Sequence, residues 1–274
     1  MSIIASIITT GVLGGALGLG LAYASKKFAV ETDPRVEQLV EALPGANCGG
    51  CGRAGCQQFA EALAKGEADV TGCPVASAEQ RAQLAKILGV EANDANRMIA
   101  QVQCHGGNQE ALTRAEYNGV QTCRAAQALG GGFKGCEYGC LGLGDCVFSC
   151  PFDAIYMGEN GLPVVDPVAC TGCGNCVKAC PRSIIDLVSD QKPVHVRCKS
   201  LAKGKDVRAV CTVGCIGCRA CSRVCPADAI PVNDNLAAVD YDKCIDCGAC
   251  VEKCPTKAIE FEARLAHLKT QAAS

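Results

Sequence analysis

Three cysteine runs of one spacing constrain this chain more than any other feature. They are Cys170-x2-Cys173-x2-Cys176-x3-Cys180-Pro181, Cys215-x2-Cys218-x2-Cys221-x3-Cys225-Pro226 and Cys244-x2-Cys247-x2-Cys250-x3-Cys254-Pro255. A fourth run is stretched: Cys136-x3-Cys140-x5-Cys146-x3-Cys150-Pro151. Three thiolates two residues apart wrap a tight loop around one face of a metal–sulfur cube, with backbone N–H groups turned toward its sulfurs. Pro after the fourth Cys ends the loop and fixes φ for the turn that follows. Gly172, Gly174, Gly217 and Gly248 remove Cβ atoms where the backbone must pass close to such a cube. The chain of 274 residues holds 24 Cys, no Trp and only 4% aromatic residues, so apolar burial alone is a poor account of its cohesion.

The spacing is that of bacterial ferredoxins, in which the fourth Cys of each run ligates the cluster of the other run. The four runs pair off, because Cys150 and Cys180 are 30 residues apart and Cys225 and Cys254 are 29 apart. Each pair encloses a strand–turn–strand pattern, at 154–157 and 162–165 and again at 229–232 and 236–239. Asp166 and Asp240 close the two hairpins alike, so the chain carries an internal duplication of a two-cluster module. Crossed ligation then predicts four [4Fe–4S] sites. One is Cys136, Cys140, Cys146 and Cys180; the second is Cys150, Cys170, Cys173 and Cys176. The third is Cys215, Cys218, Cys221 and Cys254; the fourth is Cys225, Cys244, Cys247 and Cys250.

Upstream, Cys48, Cys51 and Cys56 lie in a Gly-rich loop, and Cys73-Pro74 follows after a short amphipathic helix expected over 57–65. These four predict a further [4Fe–4S] site, and Ser77 with Gln80 predicts a capping box for the next helix. Cys104, Cys123, Cys198 and Cys211 remain. One reading makes them a sixth tetrathiolate site; the others are a zinc site or four buried free thiols. Zinc for the chain as a whole is disfavoured, since four-cysteine zinc sites come as two C-x2-4-C pairs rather than triple runs ending in C-P.

Residues 1–25 contain no charged side chain. The stretch 3–24 is 22 residues, about 33 Å as a helix and long enough for a bilayer core of roughly 30 Å. Lys26 and Lys27 follow at once, which predicts a single span with the rest of the chain on the cytoplasmic side. A cleaved signal peptide would carry its positive charge before the apolar run. A reducing cytoplasm favours metal ligation over disulfides for clustered cysteines.

Several classes of function have no support. The net charge of -2 without long like-charge runs argues against nucleic-acid binding. No P-loop, dinucleotide fingerprint or nucleophile–base constellation occurs, so the chain has no NAD or flavin site of its own. His105, His195 and His267 are scattered and read as structural. Gly130-Gly131-Gly132 reads as a flexible joint, and Arg182, Lys199, Lys203 and Lys205 read as solvated surface, as an offset to cluster charge or as docking patches.

The layout closely resembles the B subunit of the Rnf complex, in a long form with two ferredoxin-like modules. The resemblance rests on the uncharged N-terminal helix, on ALPGANCGGCGRAGC around Cys48, on TCRAA around Cys123 and on CEYGCLGLGDCVFSCPFDAI from Cys136. It implies an electron-transfer subunit of a ferredoxin:NAD+ oxidoreductase that moves Na+ or H+, with soluble ferredoxin, the lipid bilayer and other membrane and peripheral subunits as partners. A tethered polyferredoxin serving a hydrogenase or a molybdenum reductase is the alternative. The expected fold is α+β. It comprises an anchor (1–25), a small helical [4Fe–4S] domain (26–100), a connecting segment with Cys104 and Cys123 (101–132), two modules (133–197 and 198–260) and a tail (261–274).

Overall fold

The computed structural model describes residues 2–28, 33–91 and 96–262, apart from the side chains of residues 2–6 and Thr9. His267 and most of the expected tail lie outside the described residues, as do 29–32 and 92–95 and part of the expected membrane span. Helix α1 covers Ser2–Lys27. Its apolar side chains face outward: Ile7, Val12, Leu17 and Leu21 are 62% to 72% exposed. Among the described residues, which leave out the side chains of Ile3 and Ile4, no helix is long and apolar enough to cross a membrane.

A small helical unit follows, with α2 (Pro34–Ala42), α3 (Cys56–Ala64), a 3-10 turn (Val70–Gly72) and α4 (Ala78–Leu88). Asp33 caps α2 by accepting from Arg35 N at 2.9 Å, and Pro34 supplies the preset φ of a first helical position. The capping box expected at Ser77 and Gln80 is formed in both directions. Leu39 of α2, Phe59 and Leu63 of α3 and Leu84 of α4 meet in one buried core, against which Cys51 and Cys56 pack.

The rest is two copies of one plan. In the first, β1 (Met98–Val102) pairs antiparallel with β4 (Ile185–Ser189), setting Met98 opposite Ser189 and Val102 opposite Ile185. Inside this pair lie α5 (Cys123–Ala128), α6 (Asp145–Phe148), the hairpin β2–β3 (Ile155–Met157, Pro163–Val165) and α7 (Asn175–Ala179). In the second, β5 (Val194–Val196) pairs with β8 (Ile259–Phe261) around α8 (Gly204–Val210), α9 (Ala220–Val224), the hairpin β6–β7 (Val232–Asn233, Leu236–Ala237) and α10 (Ala249–Lys253). Asp166 N and Asp240 N close their hairpins on Ala154 O and Ala229 O, both at 2.8 Å. Left-handed residues recur in register, with Asp153 and Asp228 at φ 50° and 47°.

Two strands lie outside the segment expected for the module to which each belongs. β1 begins before the connecting segment, yet it belongs to the first module's sheet. β5 sits at the end of 133–197, yet it pairs with the second module. Val194, His195 and Val196 are all buried, so this short stretch needs a sheet partner, and β8 provides it. His195 is structural: its Nδ1 lies 2.8 Å from Tyr241 Oη. Burial, then the charge of Arg197, pushes the imidazole down to about 4. It is therefore uncharged at neutral pH, and its 3.9 Å approach to Glu262 is no ion pair. The three glycines at 130–132 are pinned rather than loose. Arg114 donates to the carbonyls of Gly130 and Gly132, and Arg182 donates to that of Gly131.

Candidate metal centres

The N-terminal loop is built around Asn47. Its φ of 47° turns the chain, its Oδ1 accepts from Cys56 N at 2.9 Å and its Nδ2 donates to Gly45 O at 3.1 Å. Cys56 thereby starts α3. The 3-10 turn returns the chain so that Cys73, its thiol raised first by burial, lies beside Cys51 and Cys48. The four expected ligands are gathered in one unit.

The structure brings together members of three further sets. Cys215, Cys218, Cys221 and Cys254 line one cavity. Cys176, pushed up to about 12 by burial and then by its neighbours, lies beside Cys170, Cys173 and Cys150. Cys250, pushed up to about 11 in the same way, lies beside Cys244 and Cys225, while Cys247 is exposed at the loop tip.

The remaining two sets are regrouped. Cys140, Cys146 and Cys180 line a cavity that Cys136 does not reach; Cys123 completes it. Cys136 instead lines a second cavity with Cys104, Cys198 and Cys211, and Cys140 stands in the wall of both cavities. The reason lies in the stretched run. Counting back from Cys150 with the ordinary spacing gives Cys146, then Leu143, then Cys140, so the middle ligand is missing. Leu143 packs against Cys123, Ala126 and Leu141. Asp145 at the start of α6 accepts from Cys123 N at 2.8 Å and Arg124 N at 3.0 Å, which seats α5 over the gap. Each of these two cavities is thus lined by members of both the expected set with Cys136 and the leftover set with Cys123. The signal for this was the Leu at position 143.

The donor chemistry fits iron–sulfur clusters. All 24 thiols are free, and none is paired as a cystine. Backbone N–H groups are aimed at sulfur: Ala229 N on Cys225 and Ala258 N on Cys254 at 3.2 Å, Ala100 N on Cys170 at 3.4 Å. Such bonds tune a cluster's potential. Among the described residues no three His, Cys, Asp or Glu side chains converge as one metal ion requires.

The sets adjoin one another in series. Cys250 lies beside Cys221, Cys198 beside Cys215, Cys104 beside Cys140, Cys146 beside Cys176, and Cys173 beside Cys48. The last contact joins the N-terminal unit to the first module: Asn175 Nδ2 donates to Cys48 O at 3.1 Å, and a Cβ on Gly50 would stand 2.9 Å from Cys173 O.

The chain matches the FeS family of Fe-S cluster domains over residues 43–75 and the 4Fe-4S dicluster domain family over 134–184 and 214–258. It is 50% identical over 85% of its length to the B subunit of the Na(+)-translocating ferredoxin:NAD(+) oxidoreductase complex of Acetobacterium woodii, covering 70% of that protein. It is 49% identical over 88% of its length to the B subunit of the ion-translocating oxidoreductase complex of Methanosarcina acetivorans, covering 91% of it. With the B subunit of the proton-translocating ferredoxin:NAD(+) oxidoreductase complex of Clostridium ljungdahlii it shares 47% identity over 87% of its length, covering 84% of that chain. Paired cysteine modules, a separate N-terminal thiol set and identity sustained through both place this chain in the family of B subunits of the ion-translocating ferredoxin:NAD+ oxidoreductase (Rnf) complexes.

Proposed function

We propose that this chain is the electron-transfer subunit of an ion-translocating ferredoxin:NAD+ oxidoreductase, receiving electrons from reduced ferredoxin and delivering them to membrane partners. Bound [4Fe–4S] clusters supply one-electron chemistry, with potentials set by burial and by hydrogen bonds to sulfur. The protein's part is to hold thiol sets in a fixed order.

Cys48, Cys51, Cys56 and Cys73 would hold the cluster nearest the membrane. The two modules would hold theirs through the sets lined up behind it, with Cys247 and Cys218 exposed at the opposite end, where a soluble donor can approach. Helix α1 would anchor the chain in the cytoplasmic membrane, with Lys26 and Lys27 on the cytoplasmic side.

The observation that carries this reading is the Asn175 to Cys48 contact. It sets the thiols of the first module against the unit that follows α1. Replacing Cys51 by Ser tests it. Reduced ferredoxin should still bleach most of the visible absorbance of the variant, while ferredoxin-driven NAD+ reduction by the assembled membrane complex is lost. Undiminished NAD+ reduction contradicts the proposed order.

A further inference from the structure

We infer that Cys104, Cys136, Cys198 and Cys211 hold a sixth [4Fe–4S] cluster that bridges the two modules, and that Cys123 releases Cys136 for it. The inference rests on reading the chain as a multi-cluster carrier, but not on which protein donates the electrons. None of Cys104, Cys123, Cys198 and Cys211 falls within the matched family domains.

The geometry comes first. The four thiols line one cavity between the modules; Cys140, which also lines it, belongs with Cys123, Cys146 and Cys180 in the neighbouring cavity. Cys104 lies beside Cys136 and Cys211, and Cys198 lies beside Cys104. Cys140 N points at Cys104 Sγ from 3.4 Å and Ser200 N at Cys198 Sγ from 3.5 Å, as backbone amides do at the other sets. A Cβ on Gly106 would stand 3.0 Å from Cys211 Sγ, so the segment after Cys104 must lack one to let that thiol in.

The duplication gives an independent argument. Cys136 and Cys211 are 75 residues apart, as are Cys140 and Cys215, and Cys150 and Cys225. Cys104 and Cys198 each stand two residues after the last residue of β1 and β5. Each module therefore contributes the same two positions, and the four meet across the boundary. Cys123 has no counterpart in the second module. It lies in extra chain: 32 residues separate Cys104 from Cys136, but only 13 separate Cys198 from Cys211. The additional segment carries the ligand that the first module lost at Leu143.

Charge agrees with an anionic occupant. Lys134 lines the cavity, is only 4% exposed and donates to Asn108 Oδ1 at 3.0 Å. Among the described residues no carboxylate pairs with it. A buried ammonium without a counter-ion is costly, and a cluster with four thiolates would supply the negative charge.

The test is an iron and acid-labile sulfide count on the anaerobically purified full-length protein. Six four-iron sites predict about 24 iron atoms per chain, five predict about 20. Cys104→Ala and Cys211→Ala should each remove about four. The decisive variant is Cys104→Ala/Cys136→Ala. It loses about four irons if both residues serve one site, and about eight if Cys136 serves with Cys140. Conversely, Cys123→Ala/Cys140→Ala should lose about four irons, and about eight if Cys123 serves with Cys104 instead. Iron density between the four thiols in a map of the unaltered protein gives the same answer should a variant not fold. A count of about 20 irons, alone or with one zinc, overturns the inference and leaves the carrier role intact. About 24 irons without reduction by ferredoxin would sink the donor assignment and leave the sixth site standing.

Discussion

Asn47 governs the N-terminal loop because it does two jobs at one position. Its backbone is left-handed, where Asn is tolerated better than most residues, and its side chain satisfies Cys56 N. Asn47→Gly keeps the first and loses the second; Asn47→Ala loses both. The expected order of stability is parent, then Gly, then Ala. The first step costs about 1 kcal/mol for a hydrogen bond, and the second roughly 1 kcal/mol more for an Ala at positive φ. Denaturation midpoints of the cluster-loaded protein check the order, and an Ala variant at least as stable as the Gly variant refutes it. At this scale most of the thiol groupings were legible, because each loop carries three of its thiols within a few consecutive residues. Cys123 was not. Its partners are set by a gap at Leu143 that shows only when the run is counted back from Cys150-Pro151. Pairing Cys104 with Cys211 likewise depends on contacts made across more than a hundred residues.

Among the elements, local ones were readable and remote ones were not. The hairpins, the helix over 57–65 and the capping box announce themselves within a few residues, and all three form. β1 and β5 find their partners far along the chain, and the buried run Val194–Val196 shows no alternation to mark it as a strand. The glycine triplet reads as a joint because composition cannot show Arg114 and Arg182 reaching its carbonyls. Contact between the N-terminal loop and α7 was equally invisible, and it sets a prediction. Gly50→Ala would force its Cβ to 2.9 Å from Cys173 O and 3.0 Å from Pro74 Cγ. Overpacking of this kind costs about 1–3 kcal/mol, and the least expensive relief is to part the loop from the module. Iron content should stay at the parental level while ferredoxin-driven NAD+ reduction falls. Unchanged turnover would mean the contact is not needed.

For the whole molecule, the order of the thiol sets and the position of α1 belong together. The N-terminal unit sits between the helix and the first module, and the second module lies at the other end of the series. The proposed electron route requires that the chain's N-terminal end be held at the membrane. Ile7, Val12, Leu17 and Leu21 of α1 face outward, which the proposed anchor requires. An Arg at the centre of a span costs about 2.5–3.5 kcal/mol on insertion scales, so Leu13→Arg/Leu17→Arg should cost roughly twice that. The double variant, expressed without the other subunits, should move from the membrane fraction to the supernatant with its iron retained. The parent should resist a high-salt wash, which removes proteins held by charge alone. A parent released by salt, or a double variant that stays with the membrane through that wash, would show that α1 is not the anchor. The thiol order could then no longer be read as running toward the bilayer.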